Sequence, residues 1–253
     1  MTTEAPPRRR RRWLAWILVP LVALVLLAAV AVVLVETVGR GIAEEYVAGE
    51  VEESLPAGVT GEVEVELRGP FLIGQYLSGR MQDVRLASDD LRVGDVPAQA
   101  RLRLEGAPVD LAQPIETAAG TVDLDDRAVE ALLAQRGLLG DVTLGDGVLQ
   151  YADTASVLGA DLDYTITASP ALSGGVLTLA PESAEVTGGP VDLDATRLLE
   201  LVVPDGISLC VAEVLPDSVV LDGLEVEGGT ARIHFSGEGV VLSQEALART
   251  GSC

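Results

Sequence analysis

The chain of 253 residues has no lysine, one histidine, two cysteines, two phenylalanines, four tyrosines and two tryptophans. Each scarcity removes a class of function. The single histidine, His234, lies in "ARIHFS", where it alternates with Ile233 and Phe235 and so shares the polar side of a strand with Arg232. A catalytic histidine needs a nucleophile and an orienting acid, and no Gly-x-Ser-x-Gly sequence supplies the serine. Two cysteines and one histidine fall short of the ligand number and spacing of a zinc site. The acidic stretches "VDLDD", "LGDG" and "ADLDY" do not match a calcium loop. In a strand Asp123 and Asp125 point the same way, and polar-face positions and helix caps account for these acids without a metal. Phosphate loops and dinucleotide fingerprints are also missing. The sequence reads as a non-enzyme with no metal and no cofactor, and the lack of lysine reads as genome composition.

Charge is unevenly placed. Five consecutive arginines, Arg8 to Arg12, precede a run without charge, "WLAWILVPLVALVLLAAVAVVLV", over 13–35. At about 1.5 Å per residue this run reaches roughly 34 Å, enough to cross a hydrocarbon core of about 30 Å. Trp13 and Trp16 stand at one end, where indole rings favour the interface, and the arginines before them predict a cytoplasmic N-terminus. A cleaved signal peptide is the alternative, because Ala29-Val30-Ala31 has the form of a cleavage site. The apolar run nevertheless continues past it to Val35. The expected organisation is a cytoplasmic Arg-rich tail over 1–12, a transmembrane anchor over 13–35, and a domain over 36–253 outside the cytoplasm, on the periplasmic or extracellular face.

With Arg8 to Arg12 and Glu4 set aside, residues 36–253 hold 12 arginines and 38 acids, a net charge of −26. Such acidity excludes nucleic acid as a partner. In an oxidising compartment the even cysteine count reads as a Cys210–Cys253 disulfide, with two free thiols as the alternative.

Within this domain, 36–55 predicts an amphipathic helix, with Val38, Ile42, Val47, Val51 and Leu55 at helical spacing, Ala43 and Tyr46 beside them, and Glu44, Glu45, Glu52 and Glu53 on the other side. Strands dominate after Pro56. "EVEVEL" alternates strictly, Val63, Val65 and Leu67 against Glu62, Glu64 and Glu66. "DVRLAS", "RLRLEG", "DLDYTITAS", "SVVLDGLEVEG" and "TARIHFSG" repeat the pattern between turn residues. Short helices are expected at 126–135 and 195–202. They follow an internal echo, Gly-x-Val-Asp-Leu-Asp, at Gly120 and Gly189, with Asp125 and Asp194 placed as N-caps and Ser243 in a weaker third copy. The fold class is α+β, with one long antiparallel sheet and a few helices on one face.

One stretch stands out, "RGPFLIGQYLSGRMQDVRL" at 68–86. Pro70, Phe71, Leu72, Ile73, Tyr76 and Leu77 crowd together between Arg68 and Arg80. The span 68–103 holds six arginines against Asp83, Asp89, Asp90 and Asp95, a net +2 in a domain of −26. Apolar side chains beside arginine suit a surface that meets lipid tails and phosphates together. A turn packed on the core, flanked by solvated arginines, fits the same residues.

The helix "GRGIAEEYVAGEVEESL", the segment "GPFLIGQYLSGRMQDVRL", "GTVDLD", and the late Cys210 followed by "LPDSVVLDGLEVEGGTARIHFSGEGVVL" and Cys253 together resemble the LmeA-like phospholipid-binding family of actinobacterial cell envelopes. The resemblance implies a tubular, BPI-like fold, a curved antiparallel sheet wrapped around the amphipathic helix with acyl chains between them. It implies phospholipid binding, of phosphatidylinositol type or another, in support of envelope lipid or lipoglycan assembly beside envelope biosynthesis enzymes. On this reading Ile42, Tyr46, Phe71, Leu72, Ile73, Tyr76 and Leu77 line the cavity or its mouth, and Arg68, Arg80 and Arg85 meet the phosphate. The alternative is a non-catalytic envelope scaffold that binds a partner protein such as a glycosyltransferase.

Overall fold

The structure, a computed structural model, describes residues 26–27, 36–53, 55, 58–110, 112–157, 160–187, 193–194, 206–241, 243, 246 and 249–253. The tail 1–12, the expected span 13–35 apart from Leu26 and Leu27, and the helix expected at 195–202 lie outside these residues. No helix among the described residues is long and apolar enough to cross a membrane.

The elements are helix α1 (36–53), strands β1 (Val59–Thr60) and β2 (Glu64–Arg68), helix α2 (Leu72–Ser78), strands β3 (Arg80–Val93), β4 (Val96–Pro108) and β5 (Ile115–Asp125), helix α3 (Asp126–Ala134), and strands β6 (Asp141–Leu144), β7 (Leu149–Val157), β8 (Ala160–Ser173), β9 (Val176–Thr187), β10 (Leu193–Asp194), β11 (Ile207–Cys210), β12 (Val219–Glu227) and β13 (Thr230–Val240). The α+β class and the antiparallel pairing match expectation. The single sheet does not, because the strands divide between two. One runs β1-β3-β4-β5-β13-β12, with β2 also paired to β3; the other runs β10-β9-β8-β7-β6, with β11 also on β9. Strand alternation fixes which side of a strand is apolar, but it carries no record of which strand is the neighbour.

Sequence alternation turns directly into burial at β2, where Val63, Val65 and Leu67 are buried and Glu64 and Glu66 are exposed. These three join Leu72, Val84 and Ala107 in one apolar cluster, on which Ala43, Val47, Ala48 and Val51 of α1 pack. A second cluster, Val142, Leu144, Tyr151 and Ala231, joins the two sheets under Val129 and Leu133 of α3. Helix α3 starts as the sequence predicts, with the Asp125 carboxylate accepting the Ala128 N–H at 2.8 Å. The Ser243 hydroxyl accepts the Ala246 N–H at 3.2 Å. Gly120 sits mid-strand where a Cβ would stand 2.4 Å from the Arg101 carbonyl oxygen and 2.6 Å from the Phe235 ring. The disulfide forms, with Cys210 and Cys253 Cα atoms 5.8 Å apart.

Two expectations need correction. The apolar residues of α1 do not make one stripe. Ala43, Val47, Ala48 and Val51 face the core, whereas Val38, Ile42 and Tyr46 are exposed on the opposite side. Glu44 and Glu52 of α1, expected on the side away from the apolar residues, also reach the sheet. Strand β2 has β3 on one side only, so its outer backbone groups need partners, and α1 supplies them. Glu52 accepts the Val63 N–H and Glu44 the Leu67 N–H, both at 2.8 Å. Arg40 donates to the carbonyls of Leu67 and, at 2.9 Å, Gly69.

Candidate functional site

Helix α2 is built into "GPFLIGQYLSG" by one buried polar side chain. Gln75 is 5% exposed. Its Nε2 donates to the Pro70 carbonyl at 3.0 Å, and its Oε1 accepts the Gln82 N–H at 2.8 Å. The helix therefore stays registered to both flanking segments. Leu72, one turn before, enters the core cluster. At the start, Phe71 gives no side-chain cap; instead the Glu36 carboxylate at the head of α1 accepts the Leu72 N–H. Gly79 closes the helix in the left-handed region.

With Leu72 and Gln75 turned inward, the other apolar residues turn out. Phe71 is 65% exposed, Tyr76 60% and Leu77 79%, with Ile73 beside them. Phe71 also has φ +58°, the one positive value at a non-glycine among the described residues. A bulky side chain in that region is an outlier.

The flanking arginines are already engaged. Arg68 pairs with Glu66 at 2.9 Å, Arg80 with Glu116 at 3.0 Å and Arg85 with Asp83 at 3.4 Å. Arg101 pairs with Asp89 at 3.1 Å, and Arg103 with Asp83 at 3.1 Å and Glu105 at 2.9 Å. All five arginines are about half exposed, and such pairs hold together by only about 0–1 kcal/mol. An incoming phosphate can compete with a carboxylate for them.

Between α1 and the first sheet lies an open trough of about 820 Å³. Glu44, Glu45 and Ala48 form its helical wall. Val63 to Glu66, Arg85 to Ala87, Arg101 to Arg103 and Ala119 to Thr121 form the rest. Of the residues picked out from the sequence, Arg85 lines it. Ile42 and Tyr46 lie on the outer side of α1, while Phe71, Ile73, Tyr76 and Leu77 lie on α2.

Sequence reasoning missed Glu36 and Arg40, whose partners Leu72, Leu67 and Gly69 are remote in the chain, and Gln75, whose burial no local pattern marks. It also missed Asp123. That carboxylate is buried and takes two bonds of 2.7 Å from Arg232, with Arg101 at 3.9 Å. His234 stands on the same face, its Nε2 3.7 Å from Glu225.

The hydrogen bond from Arg232 holds the Asp123 carboxyl below the usual range, against the opposing effect of burial. At Asp83 burial works upward, but Arg85 and Arg103 outweigh it and the carboxyl is also lowered. Lowered folded-state values mean stability that is present above the unfolded carboxylate pKa of about 3.9 and lost as pH falls through the folded values. The urea midpoint should therefore be flat above about pH 5 and fall below about pH 4. Asp123→Asn should flatten that acid limb; an unchanged slope would contradict the assignment.

A family model described as LmeA-like phospholipid-binding matches residues 34–236. The chain belongs to that family. The match takes in α1, the β2 edge, α2 and the trough, and it runs on through Cys210 into β13. No curated protein and no solved structure matches the chain significantly.

Proposed function

We propose that this member of the LmeA-like family is a membrane-anchored phospholipid-binding protein whose domain lies outside the cytoplasm. The observation that carries the reading is the set of large apolar side chains left uncovered, Ile42, Tyr46, Phe71, Ile73, Tyr76 and Leu77, in a domain of net charge −26. Exposed apolar side chains suit a contact surface, and the family's phospholipid-binding description supports phospholipid as what would meet them. Acyl chains would run along the exposed residues of α2 and into the trough under α1, in the manner of a BPI-like tube, with Ile42 and Tyr46 meeting lipid from the outer side of α1. The headgroup phosphate would exchange with the carboxylates now on Arg68, Arg80 and Arg85. An inositol headgroup, rich in hydroxyls, would suit the glutamates that share the trough wall. The uncharged run 13–35 would hold the domain at the bilayer, and the Cys210–Cys253 disulfide suits an oxidising compartment. There the protein would support envelope lipid or lipoglycan assembly.

Native mass spectrometry of the full chain, released from membranes in mild detergent, tests this directly. Co-purified phospholipid is expected. After delipidation the chain should take up phosphatidylinositol, and Phe71→Asp with Leu77→Asp should lower occupancy about tenfold or more, given roughly 1.5–3 kcal/mol for each large apolar side chain. A chain that carries no lipid, takes up none and instead crosslinks to one protein would replace this reading with that of a partner-binding scaffold.

A further inference from the structure

We propose that α2 is a wedge that inserts into the outer leaflet of the bilayer, with Phe71 and Leu77 at its tip. The proposal rests on the membrane-anchored reading above and goes further, assigning to one seven-residue helix a contact with the bilayer itself. Three observations lead to it.

The first is position. Glu36 follows the uncharged run 13–35 directly, and its carboxylate holds the Leu72 N–H. Helix α2 is thus tied to the point where that run ends, so a bilayer that accepts the run has α2 at its surface. The second is rigidity. The exposed residues of α2 are not a frayed end, because Gln75 is bonded to Pro70 and Gln82 and Leu72 is in the core. A rigid scaffold beneath uncovered Phe71, Ile73, Tyr76 and Leu77 loses little conformational freedom when the face is covered. The third is strain. Phe71 holds φ +58° where glycine would be relaxed, and its ring is 65% exposed. Neither the ring's packing nor its backbone favours phenylalanine in the isolated domain, and contact with an apolar medium supplies the missing stabilisation. Charge agrees: Arg68 and Arg80, at the two ends of the apolar face, belong to the span 68–103, which is net +2 in a domain of −26, so headgroup phosphates fit on both sides of the wedge.

The test uses the full chain with a nitroxide attached at Leu77→Cys, reconstituted in vesicles of phosphatidylcholine and phosphatidylglycerol. A label at Leu139→Cys, another exposed apolar position but after α3, is the control. The expected result is a Leu77→Cys label several-fold more accessible to dissolved oxygen than to a water-soluble nickel complex, with the reverse at Leu139→Cys. Phe71→Gly should keep or raise the thermal midpoint while making the Leu77→Cys label more accessible to nickel. Equal nickel access at the two positions overturns the wedge. Spin–spin broadening at Leu77→Cys also overturns it, since a second copy of the chain would then cover the face. Resistance to alkaline carbonate reports the anchor separately. A chain that carbonate extracts overturns the anchored reading, whereas a resistant chain with Leu77→Cys in water overturns the wedge alone.

Discussion

Removing the Cys210–Cys253 disulfide should lower the unfolding free energy by about 4 kcal/mol, the loop-closure value for its span. The two cysteines are 43 positions apart, so the unfolded chain gains considerable freedom when the bond is cut. What remains on the native side is modest. Strand β11 pairs with β9 over four residues. The tail is held by a bridge between Pro216 and Thr250, by the Asp217 N–H on the Arg249 carbonyl at 2.8 Å, and by the Gly251 N–H on the Leu215 carbonyl at 3.0 Å. Domains of this kind hold about 5–15 kcal/mol in all, so the loss is a large part of the total. Urea denaturation with and without reductant, checked against Cys210→Ser with Cys253→Ser, measures it. Amide exchange in β11 should rise before exchange in β3 and β4. Coincident midpoints would mean that the bond constrains nothing the rest of the fold does not.

A second large effect is expected at the edge of β2. Glu44→Ala removes the acceptor for the Leu67 N–H, next to a side chain that is buried. An amide left without a partner costs about 1–3 kcal/mol. Glu52→Ala does the same at Val63, with a smaller effect because Glu52 is exposed. The two sites lie two turns apart on α1, about 12 Å, so their effects should add, to about 2–4 kcal/mol in the double variant. Glu44→Gln keeps a carbonyl oxygen in place and should recover most of the loss, which a mere change of charge would not predict. The alanine variants should also self-associate more readily, since an uncovered edge accepts other strands. A double variant with the parent midpoint and no association would show that water serves the edge as well as α1 does.

The strands were legible because burial follows a period of two. "EVEVEL" gave the buried Val63, Val65 and Leu67 correctly, and "GTVDLDDRAVEALL" gave both the strand and the capped start of α3. Pairing was not legible. Asp123 and Arg232 are 109 positions apart, and nothing local to either marks the other as its partner, so the sequence shows two polar-face side chains where the fold has an ion pair with a buried carboxylate. Helix α1 was misread for a related reason. Its apolar residues are numerous enough to cover two opposite faces, and helical spacing cannot tell a face that meets the core from one that meets something outside it. At α2 the apolar content was plain in the sequence. Which residues turned inward was decided by Gln75, a polar residue that composition alone would place in water.

The alignment of α1 along β2 has a mechanical meaning. Its contacts run in opposite chain order, Glu36 to Leu72, Arg40 to Gly69, Glu44 to Leu67 and Glu52 to Val63. Tension applied to the N-terminal end of the helix, along its axis, pulls on all four attachments together. They share the load in shear and do not peel one after another. A tether at that end therefore transmits force to the first sheet as a whole, and the helix acts as a tie rod between whatever holds the N-terminus and the body of the domain.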